Sequence, residues 1–251
     1  MIKVCDIANA IERIAPVELA QDWDNVGLLI GDKEREVKRV MVMLDADIHT
    51  INEAVEEEVD MIVTHHPLFI SPLISVTDKK ILTLAENKIA LYSTHTNMDI
   101  AHGGVNDMLA AKLGLMNVKE VMLGDLATRM GEVEPCSLLQ FISLVKTTLG
   151  IKKVRYVGDL TKEIKTVVIL GGSGADLYKE AKETGADVYV TADLKYHQAQ
   201  GADEINMCMV DAGHYETERC IGQRLVDYLE EEFPELTVLK SKRNESYIKY
   251  E

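Results

Sequence analysis

The chain has 251 residues, 47% of them hydrophobic and 27% charged, which is the composition of an ordinary globular protein with a full core. That length suits one large domain or two of moderate size. The net charge is −15 and no basic run is present, which argues against nucleic acid and anionic membrane as partners, since both are gripped by clustered Lys and Arg.

The N-terminal Met1-Ile2-Lys3-Val4-Cys5-Asp6 has no signal-peptide apolar region. No apolar run nears the ~18 residues of a membrane span. Cys5, Cys136, Cys208 and Cys220 show no CxxC spacing and read as reduced thiols. A cytoplasmic protein is expected.

In chain order, Asp6 can cap a first helix with Ile7, Ile11 and Ile14 on one face and Pro16 beyond its end. Trp23-Asp24-Asn25-Val26-Gly27 is a loop feeding the apolar strand Leu28-Leu29-Ile30. Asp24 and Asn25 fit either turn formation or support of a nearby site. Val40 to Leu44 is a second strand, and Asp47 can cap the helix through Glu58, on which His49 reads as a surface residue.

Asp60 to Thr64 is a buried strand that ends in His65-His66-Pro67. Ligands collect at strand ends in alternating α/β proteins. Adjacent residues on an extended backbone point in opposite directions, so one ion is hard for both histidines to reach. Two ions about 3.5–4 Å apart could take one each. A pair of surface or hydrogen-bonded histidines is the other reading.

A helix over about 77–87 leads to the strand Ile89 to Ser93, which ends in Thr94-His95-Thr96-Asn97-Met98-Asp99. A second strand terminus thus presents ligand-type side chains. Gly103-Gly104 opens a helix to about Leu113; Lys119 to Thr128 reads as a strand and Gly131 to Pro135 as a turn. Pro135 is expected to start a helix through Leu149, and Val154 to Val157 a strand.

The pattern then returns. Moving Val40–Thr64 along by 127 residues lays it on Val167–Thr191 without a gap. Val40/Val167, Glu53/Glu180, Ala54/Ala181, Glu56/Glu183, Asp60/Asp187, Val63/Val190 and Thr64/Thr191 are identical. The fold expected is therefore α/β (α+β), two related βαβ-containing halves, with strand ends that could face a shared cleft. The first half covers 1–124 and the second 125–251, with the C-terminal tail free to pack back on the first. The ligand pair is not duplicated, because Thr191-Ala192-Asp193 stands where the first half has Thr64-His65-His66.

Three further features belong to the second half. Lys195 and His197 could meet an anionic substrate, or simply start a surface helix. Gly171-Gly172-Ser173-Gly174 sits between strand and helix, where free N–H groups can hold phosphate, but it lacks the Lys-Ser/Thr of a P-loop and equally fits a tight structural turn. His214 and Glu218, four apart, share one helical face at roughly 6 Å of rise, the spacing of helical metal-ligand pairs.

Taken together, Asp24-Asn25-Val26-Gly27-Leu28, Thr64-His65-His66-Pro67-Leu68, Ser93-Thr94-His95-Thr96-Asn97-Met98-Asp99, Thr191-Ala192-Asp193-Leu194-Lys195-Tyr196-His197 and Asp211-Ala212-Gly213-His214-Tyr215-Glu216-Thr217-Glu218 resemble the motifs of the NIF-three-like dinuclear metal proteins. These are often labelled GTP cyclohydrolase 1 type 2 homologues. The resemblance spans nearly the whole chain, without the extra central domain of some longer members, and Ala192 stands where members often have Gly. It implies two divalent metal ions, one held by His65 and Asp99, the other by His66 and His214, with Glu218 bridging. It also implies two α/β halves facing a central metal cleft and a homohexamer.

The donor set is imidazole and carboxylate without thiolate, which suits Zn, Fe, Mn, Co or Ni. Two divalent ions less the charges of Asp99 and Glu218 leave about +2, enough to draw a small anionic substrate to an acidic protein. The resemblance implies a metal-dependent hydrolase that activates water against a nucleotide or related ring or amidine. His95 is the candidate proton carrier, and Lys195, His197, Gly172, Ser173 and Gly174 are candidates for substrate phosphate. A non-catalytic metal-binding protein, handling metal or serving as an interaction scaffold, is the alternative. Metal-centred redox chemistry is a third reading.

Overall fold

Val40–Met43 and Met61–Val63 are apolar at every position, as befits strands covered on both faces. In the computed structural model, which describes residues 1–249, they lie in β2 (Arg39–Met43) and β3 (Met61–Thr64). The two run parallel, Val40 opposite Met61 and Val42 opposite Val63. β4 (Ala90–Ser93) pairs parallel with β3, β1 (Gly27–Ile30) antiparallel with β4, and β11 (Thr237–Lys240) parallel with β2. The five-stranded order is β1-β4-β3-β2-β11. Met41, Met43, Ile62 and Leu91 fill one face with Ile51 and Ala54 of α2 (Ile48–Glu56) and Leu84 of α3 (Lys79–Glu86).

Local capping explains where these helices begin. The Asp47 carboxylate accepts from the N–H groups of His49 (2.7 Å) and Thr50 (2.8 Å) at the start of α2. Asp6 does not cap from outside as expected. It lies within α1 (Val4–Ile14) and its carboxylate accepts the Lys3 N–H at 2.8 Å, closing the first turn from inside. Glu53 of α2 is buried, and its carboxylate accepts from the Ser241 hydroxyl and from the N–H groups of Lys242 (2.9 Å) and Arg243 (3.2 Å). Burial opposes its charge, but those three donors outweigh it and hold its pKa below the ordinary carboxylate value.

In the second sheet, β8 (Glu163–Ser173), β9 (Val188–Ala192) and β10 (Cys208–Asp211) run parallel. The antiparallel hairpin β5 (Met116–Leu123) and β6 (Leu126–Ser137) flanks β8, and β7 (Arg155–Val157) flanks β10. The order is β5-β6-β8-β9-β10-β7. Alternation along the strands makes two apolar layers. Val167, Ile169, Val188, Val190 and Val210 pack on α5 (Val105–Lys112) and α6 (Leu138–Leu149). Val168, Leu170, Tyr189 and Met209 face Ala181 of α7 (Tyr178–Glu183) and Ala202 of α8 (Tyr196–Glu204).

The internal repeat is present in the backbone. Val167 lies opposite Val188 as Val40 lies opposite Met61. Asp60 Oδ2 accepts from the N–H groups of Lys38 (2.9 Å) and Arg39 (3.1 Å). Its counterpart Asp187 accepts from those of Lys165 (3.0 Å) and Thr166 (2.8 Å). In each case the aspartate's own N–H returns to a carbonyl of the neighbouring strand, that of Arg39 or of Thr166, at 2.9 Å.

Several expected boundaries move. Gly131 to Pro135 is not a turn but part of β6; the hairpin turns at Gly124-Asp125. Gly131 is needed for close approach, since a Cβ there would come within 2.9 Å of both Leu115 Cβ and the Met116 carbonyl. Pro135 sits where the pairing of β6 with β8 shifts register, between Glu132 and Cys136, a position that tolerates its missing N–H. α6 starts at Leu138, not Pro135, because Ser137 caps it by accepting the Gln140 N–H. The residues after Gly213 form two helices broken at Arg219, α9 (His214–Glu218) and α10 (Cys220–Glu232).

Contacts divide the chain into one unit of Met1–His102 with Ile221–Glu245 and another of Gly103–Cys220 with the chain from Ser246. The repeat in the sequence draws the division at 124/125 instead. α5 moves it, because Leu109, Ala110 and Leu113 belong to the second sheet's core. In the first unit, α10 returns to α1, where the Tyr228 hydroxyl donates to the Ala10 carbonyl at 2.8 Å. The four cysteines are free thiols. Among the described residues, no helix is long and apolar enough to cross a membrane.

Candidate metal centre

In the first unit the ends of three neighbouring parallel strands supply the chemistry. β3 ends at Thr64 and delivers His65, fully buried, and His66. β4 ends at Ser93 and delivers Thr94 and His95. β2 ends at Met43, shortly before Asp45. The His65 and His66 rings do not diverge as an extended backbone would require. Their centroids are 5.0 Å apart, and His95 lies 5.6 Å from each. Both residues lie beyond the last strand residue, so strand alternation no longer governs them.

One turn of helix, α4 (Thr96–Ile100), brings Asp99 back to the strand end, its N–H donating to the His95 carbonyl at 3.0 Å. Asp99 Oδ1 is 3.4 Å from His65 Nε2. That oxygen is buried and accepts no hydrogen bond among the described residues. A carboxylate oxygen withdrawn from water in this way needs a cation or donor to compensate, so the residues fit a metal.

Each imidazole is oriented through Nδ1. His66 Nδ1 lies 2.7 Å from Asp45 Oδ1, His95 Nδ1 2.9 Å from Asp24 Oδ1, and His65 Nδ1 3.4 Å from Thr94 Oγ1. A carboxylate on Nδ1 fixes the tautomer and leaves Nε2 as the nitrogen that coordinates or carries a proton. Asp24 forms the turn as well as supporting the site. Its carboxylate also accepts from the Asn25 N–H (2.8 Å), the Thr96 N–H (3.1 Å) and the Thr96 hydroxyl. Burial alone would raise its pKa; the hydrogen bonds from His95 and Thr96 prevail and hold it at about 2.

The second unit builds a matching acid–imidazole pair on one turn of helix. On α9, His214 Nε2 lies 3.1 Å from Glu218 Oε2, and Glu218 is buried. His214 Nδ1 lies 2.8 Å from Asp193 Oδ2. Asp193 follows β9 directly and takes a left-handed backbone, φ 59°. Asp211, buried at the end of β10, accepts from the N–H groups of Leu194 (3.0 Å) and Gly213 (3.1 Å), so one carboxylate pins the loops carrying Asp193 and His214.

The glycine loop serves this pair rather than a phosphate. Gly171 and Gly172 are in β8, and the helix after the loop, α7, has only six residues. The N–H groups of Gly171, Gly172 and Gly174 donate to Asn106 Oδ1 (2.9 Å), Thr217 Oγ1 (3.0 Å) and Thr191 Oγ1 (3.1 Å), and are therefore not available to an anion. A Cβ on Gly172 would fall 2.0 Å from Glu218 Oε1, so the glycine makes room for that carboxylate. Ser173 is exposed, as are Lys195 and His197 at the start of α8.

His65, His66 and Glu218 are side chains that could hold a metal ion. The sequence assigns no role to Asp45, and presents Asp193 and Asp211 only as members of longer motifs. The available signal was positional, since each stands just past, or at the end of, a parallel strand adjoining one that carries a site residue.

The sequence matches the Duf34/NIF3 (NGG1p interacting factor 3) family over residues 2–246. It is 40% identical over 228 residues to a Clostridium perfringens protein named GTP cyclohydrolase 1 type 2 homolog, covering 86% of this chain and 87% of that one. A Methanocaldococcus jannaschii protein of the same name is 36% identical over 229 residues, covering 86% and 90%. Among solved structures, reduced HcgD from Methanocaldococcus jannaschii superposes with a TM-score of 0.85 at 34% identity, covering 96% of this chain and 98% of that one. The Staphylococcus aureus protein SA1388 superposes with a TM-score of 0.88 at 29% identity, covering 99% of both.

Proposed function

The chain belongs to the Duf34/NIF3 family, and from that premise we propose that it is a dinuclear metal-dependent hydrolase acting on a nucleotide or a related ring or amidine. The observation that carries the reading is the paired design of the two units. Each presents an imidazole, His66 or His214, whose Nδ1 is tied to a carboxylate, together with an acid set against an imidazole Nε2: Asp99, one oxygen buried, 3.4 Å from His65, and buried Glu218, 3.1 Å from His214. Metal-binding histidines are held in this way. His65, His66, Asp99, His214 and Glu218 would hold two divalent ions, in the donor chemistry of Zn, Fe, Mn, Co or Ni.

Such ions would bring the pKa of water toward neutrality and offset negative charge on a substrate. The chain's own residues do the rest. Asp45 and Asp193 set the rings of His66 and His214. Asp24 keeps a proton on His95 Nδ1, so that Nε2 is the atom that takes up or gives up a proton beside the other imidazoles. Exposed Lys195 offers positive charge, and exposed His197 a ring N–H donor, to an anionic small molecule.

The test is metal analysis of protein purified without added metal, followed by incubation of the loaded protein with GTP, other nucleotides and cyclic amidines. Turnover is expected, and Asp99→Ala should abolish it. Bound metal with no turnover anywhere in the panel, the same for wild type and variant, would leave a metal-binding protein and end the hydrolase reading. The proposal includes a homohexamer, for which light scattering should give six times the 28.0 kDa subunit.

A further inference from the structure

Trp23 is the chain's single tryptophan. It is 56% exposed, yet its indole meets the His95 ring edge-on, with centroids 6.0 Å apart at 82°. An isolated exposed aromatic needs no explanation. This one is held on a backbone that has been fixed in place. The Asp24 N–H donates to the Gln21 carbonyl at 2.9 Å, and the Gln21 N–H to Thr96 Oγ1 at 3.0 Å. Asp24 is in turn bonded to His95, Thr96 and Asn25. Asn25 Nδ2 donates to the Phe69 carbonyl at 2.8 Å, which ties the turn to the loop that follows His66-Pro67. That loop carries the exposed apolar side chains Ile70, Leu73 and Ile74.

The turn therefore presents a large flat apolar side chain on a fixed backbone beside His95, whose own ring lies 5.6 Å from those of His65 and His66. The His95 ring stands nearly perpendicular to the indole, and more than half of the Trp23 surface stays open to solvent. Ordering cost is the usual obstacle to binding, and here the backbone has met it in advance. A flat π-surface beside a polar reaction centre selects a flat π-ligand.

We propose that Trp23 is the stacking platform for the substrate, and that the substrate class is a planar nitrogen heteroaromatic ring rather than a sugar phosphate or an open-chain amidine. The inference deepens the hydrolase reading and rests on it only in treating the bound ring as the substrate's. Binding at Trp23 does not require turnover.

Because Trp23 is the lone indole, its fluorescence reports the platform directly. Metal-loaded full-length protein would be titrated with guanosine monophosphate, guanosine, a pterin and ribose 5-phosphate, with calorimetry in parallel. The ring compounds should quench saturably and ribose 5-phosphate should leave emission unchanged. In calorimetry Trp23→Leu should weaken ring binding about 10- to 100-fold, within the range of base–aromatic stacking, while Trp23→Phe restores most of it. Where a ring compound is turned over, the loss should fall on KM and not on kcat. The proposal is overturned if no ring compound quenches, if ribose 5-phosphate quenches equally, or if Trp23→Leu binds rings as well as wild type. Quenching without turnover would instead sink the hydrolase reading and leave the platform standing.

Discussion

The two units share a frame and differ in what its edges carry. In both, a parallel βαβ pair is locked by an aspartate that bridges two backbone N–H groups, Asp60 in one and Asp187 in the other. At the next strand end they part. The first unit has His65-His66 where the second has Ala192-Asp193. In the first, Asp45 orients His66; the position 127 residues on is Gly172, whose missing side chain admits Glu218. The histidine position itself becomes Asp193, which orients His214. A duplicated frame thus keeps the residues that hold backbone in place, while ligand and orienting roles are exchanged between equivalent positions.

The sharpest way to break this comparison is Gly172→Ala. The added carbon meets Glu218 Oε1, and φ is +68° there, so the carboxylate must move. Metal affinity should fall by more than about 100-fold, beyond the 10- to 100-fold typical of outer partners, as read by a chelator competition assay. Asp45→Asn and Asp193→Asn form the next pair. Each should weaken metal binding about 10- to 100-fold by the same assay, and unequal losses would show that the exchanged roles are not equivalent.

Asp60→Ala and Asp187→Ala probe the shared frame instead. Each strips two backbone N–H groups of their acceptor and should cost about 1–3 kcal/mol in urea unfolding, with metal affinity per folded molecule unchanged. Matching costs would confirm the frame as duplicated; a large difference would end that comparison.

The smallest effect concerns acid. Against its burial, the hydrogen bonds from His95 and Thr96 hold the Asp24 carboxyl pKa at about 2, below the ordinary aspartate value, so its contribution is present above the unfolded value and is lost as pH falls through the folded one. Discounted for solvent screening, that contribution is about 1 kcal/mol. The acid limb of stability should therefore lie higher in wild type than in Asp24→Asn between roughly pH 5 and pH 2. Identical limbs would show that Asp24 is not held as described.

Much of this was legible in the sequence because apolar runs and strand-end histidines are local signals. The frame was visible through its identities, Asp60/Asp187 among them, and through an ungapped repeat. What escaped depended on contacts between distant positions. α4 is too short, at five residues, for helical periodicity to register. Gly131 and Pro135 carried turn chemistry but served close packing and a register shift. The Gly171–Gly174 segment looked like an anion cradle because sequence cannot say that Asn106, Thr191 and Thr217 already take its N–H groups. Asp193 was noted only for replacing a histidine, since its partner lies 21 residues further on.

β11 has a consequence for how the molecule is made. It completes the first sheet by pairing with β2, and Glu53 then fastens the three residues after Lys240. During synthesis, β2 must wait through the whole of the second unit before its neighbour leaves the ribosome. Until then it is a bare edge, open to pairing with the wrong strand. Nascent chains stopped short of Thr237 should therefore be the protein's most aggregation-prone products.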